Sequence, residues 1–135
     1  MGFAGAAAGA ATVPAAASAA TGVAIAAVSG TYNMIQPDPA VRAAGLRRLA
    51  VLIDAAAAMG TGTITLCTGT RDAMDQWKHH PDNATPEAWH DLIQSMQTAI
   101  DIANRFNVDL GIEPELANVV NSAAQARRLI NDLKS

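Results

Sequence analysis

An α/β fold with a parallel sheet is predicted by three features of this chain. Short apolar runs at 23–28, 63–67 and 108–112 alternate with longer amphipathic stretches at about 40–59, 86–106 and 122–133. Each long stretch opens on a capping residue, and two of the three carry proline at the first helical position. Each strand-like run is followed by a helix and not by a hairpin turn, which implies parallel strands with right-handed crossovers. Two architectures satisfy this order: an open doubly wound sheet, or part of a (β/α)8 barrel.

The elements follow in order. Residues 1–21 are Ala/Gly-rich, low in complexity and weakly helix-favouring, and are set apart from a domain over 22–135. The first 37 residues carry no charged side chain. They lack the basic start of a signal peptide, and Gly, Ser, Thr and Pro14 interrupt any membrane span. Val23 to Val28 reads as the first strand, emptying into Ser29-Gly30-Thr31-Tyr32-Asn33-Met34. Asp38 caps a first helix from about Ala40 to Met59, with Leu46, Leu49, Leu52, Ile53 and Ala56 on one face and Gly60 ending it.

Thr63-Ile64-Thr65-Leu66-Cys67 is the second strand. The loop that follows, to about Thr85, holds Trp77, His79, His80, Asp82 and Asn83. Long loops in compact domains are usually functional or disordered, and His-Pro-Asp-Asn is also ordinary turn chemistry. Thr85-Pro86-Glu87 opens the second helix, whose stripe is Trp89, Leu92, Ile93, Met96, Ile100 and Ala103. Asn107 is placed for a left-handed helix end. Ser122 with Gln125 forms a capping box for the third helix, with Ala126, Leu129, Ile130 and Leu133 inward.

Composition narrows the function. The chain has 135 residues, enough for one domain, and a net charge of −3 with acids and bases mixed, so no nucleic-acid footprint is present. A single cysteine, Cys67, excludes an internal disulfide and makes a reducing, cytoplasmic location the expectation. The first strand lacks a G-x-G-x-x-G loop, and no phosphate-binding P-loop occurs.

The stretch that carries most chemistry is Val108-Asp109-Leu110-Gly111-Ile112-Glu113-Pro114-Glu115. Pro114 stops the strand and leaves the Glu113 carboxylate at its C-terminal end, where parallel α/β folds bind ligands. A carboxylate there serves as metal ligand, as acid/base, or simply as a solvated loop acid.

Four sets of segments stand out: Val28 to Met34 with Pro37-Asp38; Ile64 to Asp72; Trp77 with His80-Pro81-Asp82-Asn83; and Ile112-Glu113-Pro114-Glu115 with Asn118-Val119-Val120. Taken together, they resemble the sugar phosphate isomerases/epimerases of the xylose-isomerase-like barrel superfamily. The resemblance runs from Gly22 to Leu133 and implies a partial (β/α)8 barrel of about three βα units. It implies a divalent metal (Mg, Mn or Zn) at the barrel mouth and isomerisation or epimerisation of a sugar, sugar phosphate or polyol through an enediol-like intermediate. Glu113 matches the family's first metal-binding glutamate and is also the catalytic candidate. Asn33, Arg71, Trp77 and His80 would shape a pocket for a small-molecule sugar substrate. Arg71 would meet a phosphate or carboxylate, or pair with Asp72 or Asp75. His79, His90 and Cys67 read as structural or solvated.

A complete barrel needs about 250 residues, and the family's remaining Asp, His and Glu ligands lie on later strands. The chain is therefore expected to be an incomplete copy, inactive alone, with exposed strand edges. Two alternatives remain: an inosose-type dehydratase on the same barrel, or a non-catalytic truncated product.

Overall fold

A computed structural model describes residues 4–133. Its element order is α1 (Ala4–Thr21), β1 (Val28–Ser29), α2 (Pro39–Ala58), β2 (Thr63–Leu66), α3 (Pro86–Phe106), β3 (Asp109–Ile112) and α4 (Ala123–Asp132), with a 3-10 turn at Pro81–Ala84 before α3. The strands form one parallel sheet in the order β1-β2-β3, with Val28 opposite Ile64 and Ile64 opposite Leu110. Successive βα units laid side by side in one direction are the repeating geometry of a (β/α)8 barrel, here open along β1 and β3 among the described residues.

The helix boundaries follow the capping chemistry. Asp38 accepts from the Ala40 N–H ahead of α2, Thr85 from Ala88 ahead of α3, and Ser122 from Gln125 ahead of α4. Asn107 takes the left-handed conformation at the end of α3, and its short polar side chain tolerates that better than a branched one. Residues 4–21, expected as a low-complexity lead, form a full helix that lies against α2. Alanine has the highest helix propensity, but its uniform hydrophobicity marks no face, so nothing in the pattern announces the helix. Gly22, with φ +69, ends it.

The first strand is shorter than its apolar run suggests. Only Val28 and Ser29 pair, because β2 begins at Thr63 and leaves residues 23–27 without a ladder partner beyond the bond from Thr61 Oγ1 to Ala26 O. Val23 is accordingly 67% exposed.

Two faces of the sheet differ in chemistry. Ile64 and Leu66 of β2 are fully buried under the helices, joined by Leu49, Ile53, Leu92, Met96 and Leu129. At about 1.5–3 kcal/mol per fully buried large apolar side chain, this layer supplies the main driving force for folding. The other face carries Ser29, Thr63, Thr65, Asp109 and Gly111, placed by the two-residue period of the strands. Gly45 gives α2 room for the Tyr32 ring, since a Cβ there would overlap ring carbons. The α3–α4 contact is fastened by Trp89, whose Nε1 donates to Asp132 Oδ2 at 2.9 Å while Arg128 sits 4.1 Å over its ring. Among the described residues, no helix is long and apolar enough to cross a membrane.

Candidate functional site

The loops that leave the C-terminal ends of β1, β2 and β3 converge, and buried amide and hydroxyl side chains hold them together. Gly69 N–H donates to Asn118 Oδ1 at 2.7 Å, and Asn118 Nδ2 donates to Gln76 O at 3.2 Å. Val120 N–H donates to Thr68 Oγ1 at 3.0 Å. Asn83 Oδ1 accepts from Arg71 N at 2.7 Å and from Thr70 Oγ1 at 3.1 Å, while its Nδ2 reaches Ala117 O at 2.8 Å. Thr68, Thr70, Asn83 and Asn118 are all buried, and no buried side-chain N or O among the described residues lacks a partner. In a low-dielectric interior, a fully satisfied network of this kind stiffens the loops it connects.

Asn33 belongs to the same network. Its Nδ2 donates to Thr70 O at 2.8 Å, and its Oδ1 accepts from Thr70 N at 3.0 Å and Ile35 N at 3.3 Å. Its amide is therefore spent on joining the β1 and β2 loops. Arg71 departs from the expected pairing with Asp72 or Asp75. Its Nη1 donates to Ile35 O at 3.1 Å and pairs with Asp91 of α3 at 2.8 Å, and Asp91 also meets Arg42 of α2 at 3.4 Å. The guanidinium is thus drawn outward to the helical layer. Asp91 lies 20 residues further along the chain, beyond any local pairing rule.

His80 caps the 3-10 turn, its Nδ1 accepting from Asp82 N–H at 3.2 Å. Trp77 donates its backbone N–H to Asp75 Oδ1 at 2.9 Å, and its side chain is 52% exposed. Glu113 emerges at the end of β3, its N–H on Leu66 O at 2.9 Å and its residue exposed. Beside it, Cys67 continues the polar face of β2. Its N–H donates to Thr31 Oγ1 at 3.3 Å. Burial pushes the Cys67 thiol up against the opposing hydrogen bond from Thr31, and the Glu113 and Glu115 carboxylates add to the rise, so the thiol form is favoured at neutral pH. Thus the mouth brings together Thr31, Cys67, Glu113 and Glu115, with Trp77 on the adjoining loop, while Asn33 and Arg71 are engaged in structure and His80 in a turn.

Asp72 organises the loop that carries Trp77. Its Oδ1 accepts from Met74 N–H at 2.9 Å and Asp75 N–H at 3.0 Å, and its Oδ2 pairs with Lys78 at 3.0 Å. These bonds, the Met74 N–H first, pull the Asp72 carboxyl down to about 2. A depressed folded-state value contributes stability that is complete above the ordinary value of 3.8 and is lost as pH falls toward 2. The midpoint of urea unfolding is therefore expected to fall between about pH 4 and pH 2, with a shallower fall in Asp72→Asn. An unchanged slope in that variant would remove Asp72 from the account.

A divalent metal was expected at this mouth. Among the described residues, no three of His, Cys, Asp and Glu converge on one point. What the chain offers is a solvent-facing Glu113 at a strand end, compatible with one oxygen donor but short of the 6 or more that a hard divalent ion takes up.

The sequence matches the family model for the xylose isomerase-like TIM barrel over residues 7–135, beginning nearer the N-terminus than the segments quoted above. No curated protein matches. Among solved structures, the chain is similar to the apo form of the 3-keto-D-glucoside 4-epimerase YcjR from E. coli, with a TM-score of 0.69 and 19% identity, covering 89% of this chain and 48% of that one. It is also similar to a xylose isomerase-like TIM barrel protein from Mycobacterium smegmatis in complex with magnesium, with a TM-score of 0.64 and 18% identity over 88% of this chain and 40% of that one. The chain spans about half the length of the first structure and less of the second. At these identities the likeness shows the shared fold.

Proposed function

We propose that this chain, which belongs to the xylose isomerase-like TIM barrel family, forms one side of the active site of a metal-dependent sugar isomerase or epimerase. The observation that carries the reading is Glu113. Its carboxylate stands at the C-terminal end of β3, without a hydrogen-bond or ion-pair partner among the described residues, beside loops braced by a buried network. Catalytic groups of (β/α)8 barrels occupy this end of the strands. The family match and the epimerase likeness support a sugar-type substrate, and the magnesium complex supports a divalent ion.

Isomerisation and epimerisation next to a carbonyl share one demand: a proton must leave a carbon and return to another atom or another face. A carboxylate at the mouth can accept and return it. A divalent ion, when bound, would acidify that C–H by polarising the carbonyl. Among the described residues the donor set at this mouth is one carboxylate, with Glu115 two residues further on. Arg71, Asn33 and His80 position the loops; Trp77 is the residue of that group left open to substrate.

A Mn²⁺ titration followed by amide NMR tests the ligand role. Paramagnetic broadening is expected to centre on residues 111–115, with a dissociation constant on the order of millimolar for so few donors. In Glu113→Gln the broadening should vanish while the rest of the spectrum holds. Broadening that ignores this substitution would remove Glu113 as a ligand, and micromolar affinity would overturn the incomplete donor set.

A further inference from the structure

We infer that this side of the mouth takes the ring of an uncharged sugar or glycoside and offers no seat for a phosphate. The inference rests on the sugar isomerase/epimerase reading and specifies its substrate class. Two independent observations carry it.

The first is the state of the cations. A phosphate group needs a guanidinium, an ammonium or a set of free backbone N–H groups. On the loops after β2 and β3, over residues 67–80 and 113–118, the permanent cations are Arg71 and Lys78. Arg71 is held by Asp91 at 2.8 Å and by Ile35 O, on the helical side of the sheet. Lys78 is held by Asp72 at 3.0 Å. The same loops carry Asp75, Glu113 and Glu115 without an ion pair among the described residues. The Gly69 and Thr70 N–H groups, which could form an anion nest, are taken by Asn118 and Asn33. A phosphate brought here would meet carboxylates, with both permanent cations of these loops already paired.

The second is the apolar surface on the same loops. Met74 is 93% exposed, Trp77 52% and Leu116 83%. The Trp77 loop is fixed from both sides: Asn118 Nδ2 holds Gln76 O, and Thr70 Oγ1 holds Lys78 O at 2.8 Å. Leu116 lies in the turn whose Ala117 O is held by Asn83. A solvent-facing indole on a braced backbone offers a flat apolar surface with few rotatable bonds to order. The C–H face of a neutral pyranose or furanose ring covers such a surface, while its hydroxyls remain free for carboxylates such as Glu113.

Saturation-transfer NMR on the full chain tests this with D-glucose, D-xylose and methyl α-D-glucopyranoside against D-glucose 6-phosphate and D-xylulose 5-phosphate. Transfer is expected to the ring C–H protons of at least one neutral sugar, with the phosphates about tenfold weaker or silent, as like charges predict. Trp77→Ala should weaken the neutral sugar about fivefold or more by removing the stacking surface, and Trp77→Phe should restore most of it. Since the ring is half exposed, neither variant is expected to disturb the circular dichroism spectrum. Tighter binding of a phosphate, or neutral binding indifferent to Trp77→Ala, would overturn the inference and leave the isomerase reading standing. Binding of neither class would overturn both.

Discussion

Asn83→Ala is expected to cost the fold about 3 kcal/mol, measured as a lower urea midpoint at unchanged slope. Its amide makes three bonds to three different partners: Thr70 Oγ1, Arg71 N and Ala117 O. Alanine removes all of them at once. Thr70 Oγ1 keeps an outlet to Lys78 O, but Arg71 N and Ala117 O are left without the group that served them. Each unsatisfied buried group costs about 1–3 kcal/mol, far above the net value of a made hydrogen bond. A cavity the size of the lost amide adds to this. Because Asn83 joins the β2 loop to the β3 turn, the chemical shifts of residues 113–120 should move along with those near Thr70. A loss below about 1 kcal/mol would mean that water replaces the amide, and that the network is not what holds the mouth together.

Why was so much of the fold legible and so little of the bracing? The βα alternation and the caps are local: Asp38, Thr85 and Ser122 each act within three residues, and Asn107 acts on its own backbone. Glu113 could be placed because Pro114 ends a strand wherever it stands. The network is different. Asn118 meets Gly69 across 49 positions and Val120 meets Thr68 across 52, so its partners become neighbours only once the sheet has formed. The one available signal was compositional: small polar residues packed just past the strand ends, in Thr68, Thr70, Asn83 and Asn118. Arg71 misled for the same reason, since nearby Asp72 and Asp75 are the pairs a local reading offers and Asp91 is the pair the folded chain supplies. Helix α1 was obscured in another way, since a stretch of nearly uniform alanine has no periodicity to read.

This division bears on function. Of the residues expected at the mouth, Glu113 and Trp77 are exposed. Asn33 and Arg71, expected to shape the substrate pocket, are polar groups whose bonds go to neighbouring loops and to Asp91. A polar residue after a parallel strand has two possible employers, ligand and loop, and only its partner count separates them. Asn33 has four bonds to backbone groups, whereas the Glu113 carboxylate has none among the described residues.

Gly69→Ala is expected to be more damaging still, at about 4 kcal/mol, and the reason is geometric. Gly69 has φ +84, where an L side chain is strained by roughly 1–2 kcal/mol. Its missing Cβ is also occupied space. A methyl there would overlap Asn33 Oδ1 and come within 2.9 Å of Met34 N. Relief requires the β1 loop to withdraw, which pulls Asn33 off Thr70 and Ile35. The two sites are therefore coupled, and a double-mutant cycle resolves the coupling. Asn33→Ala alone loses the same bonds at about 2–3 kcal/mol. Because Gly69→Ala already breaks them, Gly69→Ala/Asn33→Ala should fall short of the sum of the single losses by at least about 1 kcal/mol. Additive losses would instead place the cost of Gly69→Ala in its own backbone and not in the contact between loops. The β1 loop would then be held at the mouth by something other than Asn33.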